Sequence, residues 1–118
     1  PIVGPYYEGM AVSTAIVPSA LKKSVSASDL QEVLAEHYAG SRFVKVLPYE
    51  EEPTLDAGSL DPTECNGTNE AHIYVFGKGK ALQVTVVIDN LGKGASGAAI
   101  QNMNIALGID EGIGLSCF

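Results

Sequence analysis

AHIYVFGKGKALQVTVVI (71–88) decides the fold. Its two halves, 71–76 and 81–88, are dense in β-branched and aromatic residues, and the Gly77-Lys78-Gly79-Lys80 stretch between them is too short for anything but a reversal. The pattern predicts a β-hairpin. In the second half Leu82, Val84, Val86 and Ile88 alternate with Gln83 and Thr85, with Val87 joining the polar side, so one face of the hairpin is core.

Working outward towards the amino end, Phe43 to Val46 reads as a short strand stopped by Pro48, which lacks a backbone donor. Before it, Ser28 and Gln31 have capping-box spacing, Asp29 suits the positive end of a helix, and Leu30, Val33, Leu34 and His37 fall on one helical stripe. That is an amphipathic helix ending near Gly40, where His37 suits the negative end of the dipole. Met10 to Val17 (MAVSTAIV) is uncharged and rich in small and β-branched residues, as for a strand covered on both faces or lying in an interface. The stretch 47–69 is acidic and irregular, and a loop of this length inside one domain is expected to be functional, an interface arm or mobile.

Towards the carboxy end, 94–107 predicts a helix with Ala99, Ile100, Met103, Ala106 and Leu107 as its core stripe. Gly97, Ala98, Gln101, Asn104 and Ile105 occupy the opposite side, and no charge occurs from Gly94 to Ile109. Such a helix is expected to face a second domain, another subunit or a cofactor. The order strand, helix, strand, strand, strand, helix predicts an α+β domain, a largely antiparallel sheet with helices on one face. A chain of 118 residues, 46% hydrophobic, supports one such domain, 1–118, with no internal repeat.

Charge and composition exclude several functions. Seven basic against fourteen acidic residues give a net charge of −7, unsuited to nucleic acid or an anionic membrane. No apolar run approaches the roughly 18 residues that span a bilayer. Cys65 and Cys117 are too far apart for a redox or metal pair, which fits a reducing cytoplasm, and with His72 they lack metal-ligand spacing. Asp61, Glu64 and Glu70 around Cys65 oppose a nucleophilic thiolate, so Cys65 is expected to be structural or incidental. Asn66-Gly67-Thr68 matches a glycosylation sequon, a pattern common by chance. Gly92-Lys93-Gly94-Ala95-Ser96-Gly97 satisfies GxGxxG, but too little chain follows for the second parallel strand of a dinucleotide fold.

Four blocks in order carry a family resemblance: YYEGMAVSTAIV (6–17), HYAGSRFVKVLP (37–48), LDPTECNGTNEAHIYVFG (60–77) and DNLGKGASGAAIQNMNIALG (89–108). They resemble the carboxy-terminal domain of N-acetyl-gamma-glutamyl-phosphate reductases, most closely the short bacterial form. DNLxKGA is shared with the related aspartate-semialdehyde dehydrogenases, and the following IQNMN favours the reductase. The resemblance implies the plan of glyceraldehyde-3-phosphate dehydrogenase: a Rossmann half holding NADP, then an α+β half forming substrate pocket and subunit interface. The implied reaction reduces N-acetylglutamyl phosphate to N-acetylglutamate semialdehyde in arginine biosynthesis, through a cysteine and histidine that would precede Pro1. The implied partners are the chain's own amino-terminal domain and further copies of the protein.

By the same resemblance, Lys93, Gly94, Ala95 and Ser96 turn towards the cofactor, and Gln101 and Asn102 lie on its nicotinamide side. Tyr6, Tyr7 and Gly9 lead into the substrate pocket, and Asn66, Gly67 and Asn69 lie near pocket and interface. Longer members have an arginine before that glycine where this chain has Glu8. A free-standing ferredoxin-like ligand-binding dimer, or the equivalent domain of an aspartate-semialdehyde dehydrogenase, remain the alternative readings.

Overall fold

The computed structural model describes residues 4–50, 59–78 and 81–117. The hairpin is present as β3 (Ala71–Lys78) and β4 (Ala81–Ile88), antiparallel from Ala71 opposite Ile88 to Lys78 opposite Ala81. Gly79, Lys80 and the acidic positions 51–58 lie outside the described residues. β1 (Met10–Ile16) pairs antiparallel with β4, and β2 (Val44–Val46) pairs parallel with β3, giving a four-stranded sheet in the order β1-β4-β3-β2.

One helix covers one face of this sheet. α1 (Ala27–Tyr38) puts Ala27, Leu30 and Leu34 on Val75, Leu82, Ile16 and Val84, with Tyr49 beside them. The stripe anticipated for this helix holds at Leu30 and Leu34, but Val33 points outward, 62% exposed. The capping box is one turn fraction earlier than its sequence spacing indicated. Ser26 accepts from the Asp29 amide and Asp29 accepts from the Ser26 amide, while Gln31 donates to the carbonyl of Leu47. Ser26 wins because its carboxylate partner is short enough to reach back to the cap amide.

The opposite face also has a buried centre. Val87, on the side expected to be polar, is 0% exposed, and Thr85 beside it is also buried. The loop before β3 folds over this end: the Cys65 thiol donates to the Val87 carbonyl and Tyr74 donates its hydroxyl to Glu64. β1 is an edge strand, exposed along its length except at Ile16, so among the described residues nothing covers both its faces, and of the two readings of its uncharged sequence the interface one is left open.

The last helix also departs from its anticipated form. A π-turn over 92–96 comes first, closed by amide bonds five residues back from Gly94 to Asp89 and from Ser96 to Leu91. α2 (Gly97–Ala106) follows, packed on that turn. Its buried positions are Gly97 and Asn104, and of the anticipated core stripe only Ile100 is half-buried, with Met103 53% and Leu107 66% exposed; Ile105 from the opposite side is exposed as well. Tethering decides which side faces in. Asn104 donates to the carbonyls of Glu111 and Ile113, and a Cβ on Gly97 would collide with Asn69 Oδ1, so the small and polar side is bound to the chain's own loops. Among the described residues no helix is long and apolar enough to cross a membrane.

Candidate functional site

Sheet pairing brings the chemistry to one end. Met10 opens β1 opposite Ile88, which closes β4, and Ala71 opens β3 opposite the same residue, so Gly9, Asn90 and the 60–70 loop meet there. Asp89 organises the meeting point. Its carboxylate accepts from the amides of Gly67, Leu91 and Gly92. Burial pushes its carboxyl up, but the amides of Gly92, Gly67 and Leu91 together outweigh burial and hold it below the usual carboxylate range.

Next to Asp89, Asn90 Oδ1 accepts from the Gly9 amide at 2.7 Å, and Asn66 Nδ2 donates to the Glu8 carbonyl at 2.9 Å. The site needs a residue without a side chain at position 9: φ is +115° and a Cβ would lie 2.6 Å from the Pro62 carbonyl oxygen. These bonds border a cleft of about 440 Å³ whose walls include Tyr6, Tyr7, Leu60, Pro62 and Asn90. Tyr7 is 90% exposed, and among the described residues no charged side chain lines the cleft and Asn66 Oδ1 is buried without a hydrogen-bond partner. Thus Tyr6, Tyr7, Gly9 and Asn66, separated by some sixty positions in sequence, converge.

The cofactor candidates divide. Lys93 Nζ donates to Gln101 Oε1 at 2.6 Å and sits 5.5 Å from the centre of the Phe43 ring. Gln101 Nε2 donates to Glu111, and Asn69 Nδ2 also donates to Gln101 Oε1. The two charged ends orient the amide: Glu111 can only accept from Gln101, and Lys93 can only donate to it. Burial lowers the Lys93 ammonium below the ordinary lysine range while Glu111 pulls it back up. Asn69 therefore joins Lys93 and Gln101 rather than the cleft residues with which sequence reading grouped it. Gly94, Ala95, Ser96 and Asn102 form an exposed, uncharged surface outside this network.

The GxGxxG glycines have a local explanation. A Cβ on Gly92 would lie 2.9 Å from the Thr68 carbonyl oxygen, and one on Gly97 would strike Asn69. Two of the three are packing glycines for the 67–69 loop. Sequence reading did not single out Asp89 and Asn90 as site residues, although they open the DNLxKGA match. Their signal was position: two short polar side chains directly after a strand, where backbone amides need acceptors.

Cys65 and His72 are closer than their spacing indicated. The Cys65 thiol, a ring nitrogen of His72 and a carboxylate oxygen of Glu64 lie within 4.8 Å of one another; Cys117, exposed near the carboxy end, is not among them. Burial first, then the charge of Glu64, pushes the Cys65 thiol up to about 11, so it is not a nucleophile at neutral pH. His72 stands between Glu64 (Nδ1, 3.0 Å) and Glu70 (Nε2, 2.9 Å), and Lys45 pairs with Glu70 at 2.8 Å. Burial and Glu64 push the Tyr74 hydroxyl up as well.

Residues 1–90 match the family described as semialdehyde dehydrogenase, dimerisation domain. The chain is 41% identical over 118 residues to N-acetyl-gamma-glutamyl-phosphate reductase 2 of Nostoc sp., covering 98% of this chain and 37% of that protein. It is 44% identical over 110 residues to the N-acetyl-gamma-glutamyl-phosphate reductase of Brucella ovis, covering 92% of this chain and 35% of that protein. The chain thus spans a little over a third of the length of these relatives. With a match over most of its length and the mainly antiparallel sheet described above, this chain belongs to the semialdehyde dehydrogenase dimerisation-domain family.

Proposed function

We propose that this chain supplies the substrate pocket and subunit contact of an NADP-dependent reductase converting N-acetylglutamyl phosphate to N-acetylglutamate semialdehyde. The observation that carries the reading is the joined end of the sheet. An uncharged cleft walled by Tyr6, Tyr7 and Asn90 lies against Gly9, whose Cβ position faces Asn66 Oδ1 at 2.9 Å. Asn90 and Asn66 hold the backbone at Gly9 and Glu8, which keeps the tyrosine-bearing segment in place for orientation of the acyl phosphate.

The substrate is an anion, yet among the described residues the cleft has no basic lining residue and Glu8 adjoins it. Its countercharge is therefore assigned to the remainder of the full-length protein, together with the cysteine that carries the acyl group and its histidine partner. Bound NADP would supply the hydride. The residues that would face it are the exposed, uncharged 94–96 segment and Asn102, with Lys93 and Gln101 held behind them by Glu111 and Asn69. The outward apolar stripe of α2 is assigned to the contact with that domain, and the open sheet to a second copy of the protein.

Acyl-phosphate preference tests the reading. The full-length protein, given NADPH, is expected to reduce N-acetylglutamyl phosphate well over tenfold faster than aspartyl phosphate in kcat/KM. The opposite preference would place the chain with the aspartate-semialdehyde dehydrogenases.

A further inference from the structure

The group at Glu64, Cys65 and His72 lies outside the cleft and the Lys93 network. Glu64 and Cys65 are in the loop before β3. His72 is the second residue of β3, on the sheet face away from α1 and opposite Val87, whose carbonyl receives the Cys65 thiol. Cys65 is fully buried, and the side chains of His72 and Glu64 are only 14% and 24% exposed.

We propose that Glu64, Cys65 and His72 form a zinc site that fastens the 60–70 loop to the sheet. One thiolate, one imidazole and one carboxylate make the borderline-soft donor set that zinc favours, with a water completing four-coordination. The surroundings match what a metal-binding histidine requires. Nδ1 faces Glu64, while Nε2 is held by Glu70, itself anchored by Lys45, and the Tyr74 hydroxyl holds both oxygens of Glu64 at 2.8 Å. A carboxylate on the far nitrogen fixes the tautomer and leaves Nδ1 to bind the metal.

Tetrahedral bonds of this kind place ligand atoms about 3.6 Å apart. Nδ1 and Glu64 Oε1, at 3.0 Å, are already that close, and the separations within the group, at most 4.8 Å, need a closure of about 1 Å. On binding, the Cys65 S–H bond breaks and a Zn–S bond forms. Any proton on Nδ1 is likewise replaced, the protons go to solvent, and zinc stays divalent. The consequence for the protein is a fixed loop, and that loop carries Asn66 and Asn69.

The test is titration of the untagged full-length protein with Co2+, followed by displacement with Zn2+. The expected result is one equivalent per chain with a thiolate-to-cobalt charge-transfer band, which Cys65→Ser removes and His72→Gln weakens at least tenfold in affinity. No saturable binding, or a band that persists in Cys65→Ser, would overturn the proposal. Should Cys65→Ser not fold, the near-isosteric Glu64→Gln decides: cobalt binding at least tenfold weaker supports the site, and unchanged binding overturns it.

Discussion

At the scale of single residues, Asp89 does most to hold the site together, since one carboxylate receives three amides from two separate segments. Asp89→Asn retains the shape but turns one acceptor into a donor facing those amides, and is expected to cost about 2 kcal/mol of stability. Because the folded-state pKa of Asp89 lies below its ordinary value, its contribution is full above about pH 4 and is lost as pH falls through the folded value. Thermal melts of both proteins against pH should therefore show a gap at neutrality that narrows in acid; a gap constant with pH would contradict this role. Tyr6, Tyr7 and Gly9 were grouped by the family resemblance, and all three line one cleft. The sequence could not reveal that Asn69 belongs with Gln101, because that pairing depends on how the 67–69 loop packs on Gly97.

At the scale of elements, each strand was legible within two residues, because alternation and turn residues agree locally. Both helices were legible in place; the orientation was legible for α1 at Leu30 and Leu34 but not for α2. For α1 the cap shifted from Ser28 to Ser26, where the side-chain bond to Asp29 is made; Ser26→Ala is expected to lower stability by about 1 kcal/mol, and Ser28→Ala by much less, in chemical denaturation. For α2, periodicity finds an apolar stripe but cannot say whether it meets this chain or another body. Tethers at Asn104 and Gly97 turn that stripe away from the described residues of this chain. Leu107→Glu should then leave the stability of the isolated chain within about 0.5 kcal/mol while lowering the melting temperature of the full-length protein. A large loss in the isolated chain would show that Leu107 is core after all.

At the scale of the molecule, the sheet has α1 on one face only, β1 lies bare along one edge, and several large apolar side chains around α2 and the carboxy end are exposed. Isolated proteins rarely leave so much apolar surface uncovered, and the partners assigned above would cover it. The α+β class and the hairpin were legible from residue pattern. The cleft was not, because it is formed by residues some sixty to eighty positions apart that only the β1–β4 pairing brings together. In the function proposed above the nucleophile lies elsewhere in the full-length protein, and the buried Cys65, its thiol pushed up to about 11, is ill-suited to that part. The most direct test is to measure NADPH consumption with N-acetylglutamyl phosphate for the purified 118-residue chain beside the full-length protein. The expected result is turnover by the full-length protein and none by the chain alone; turnover by the chain alone would contradict the account.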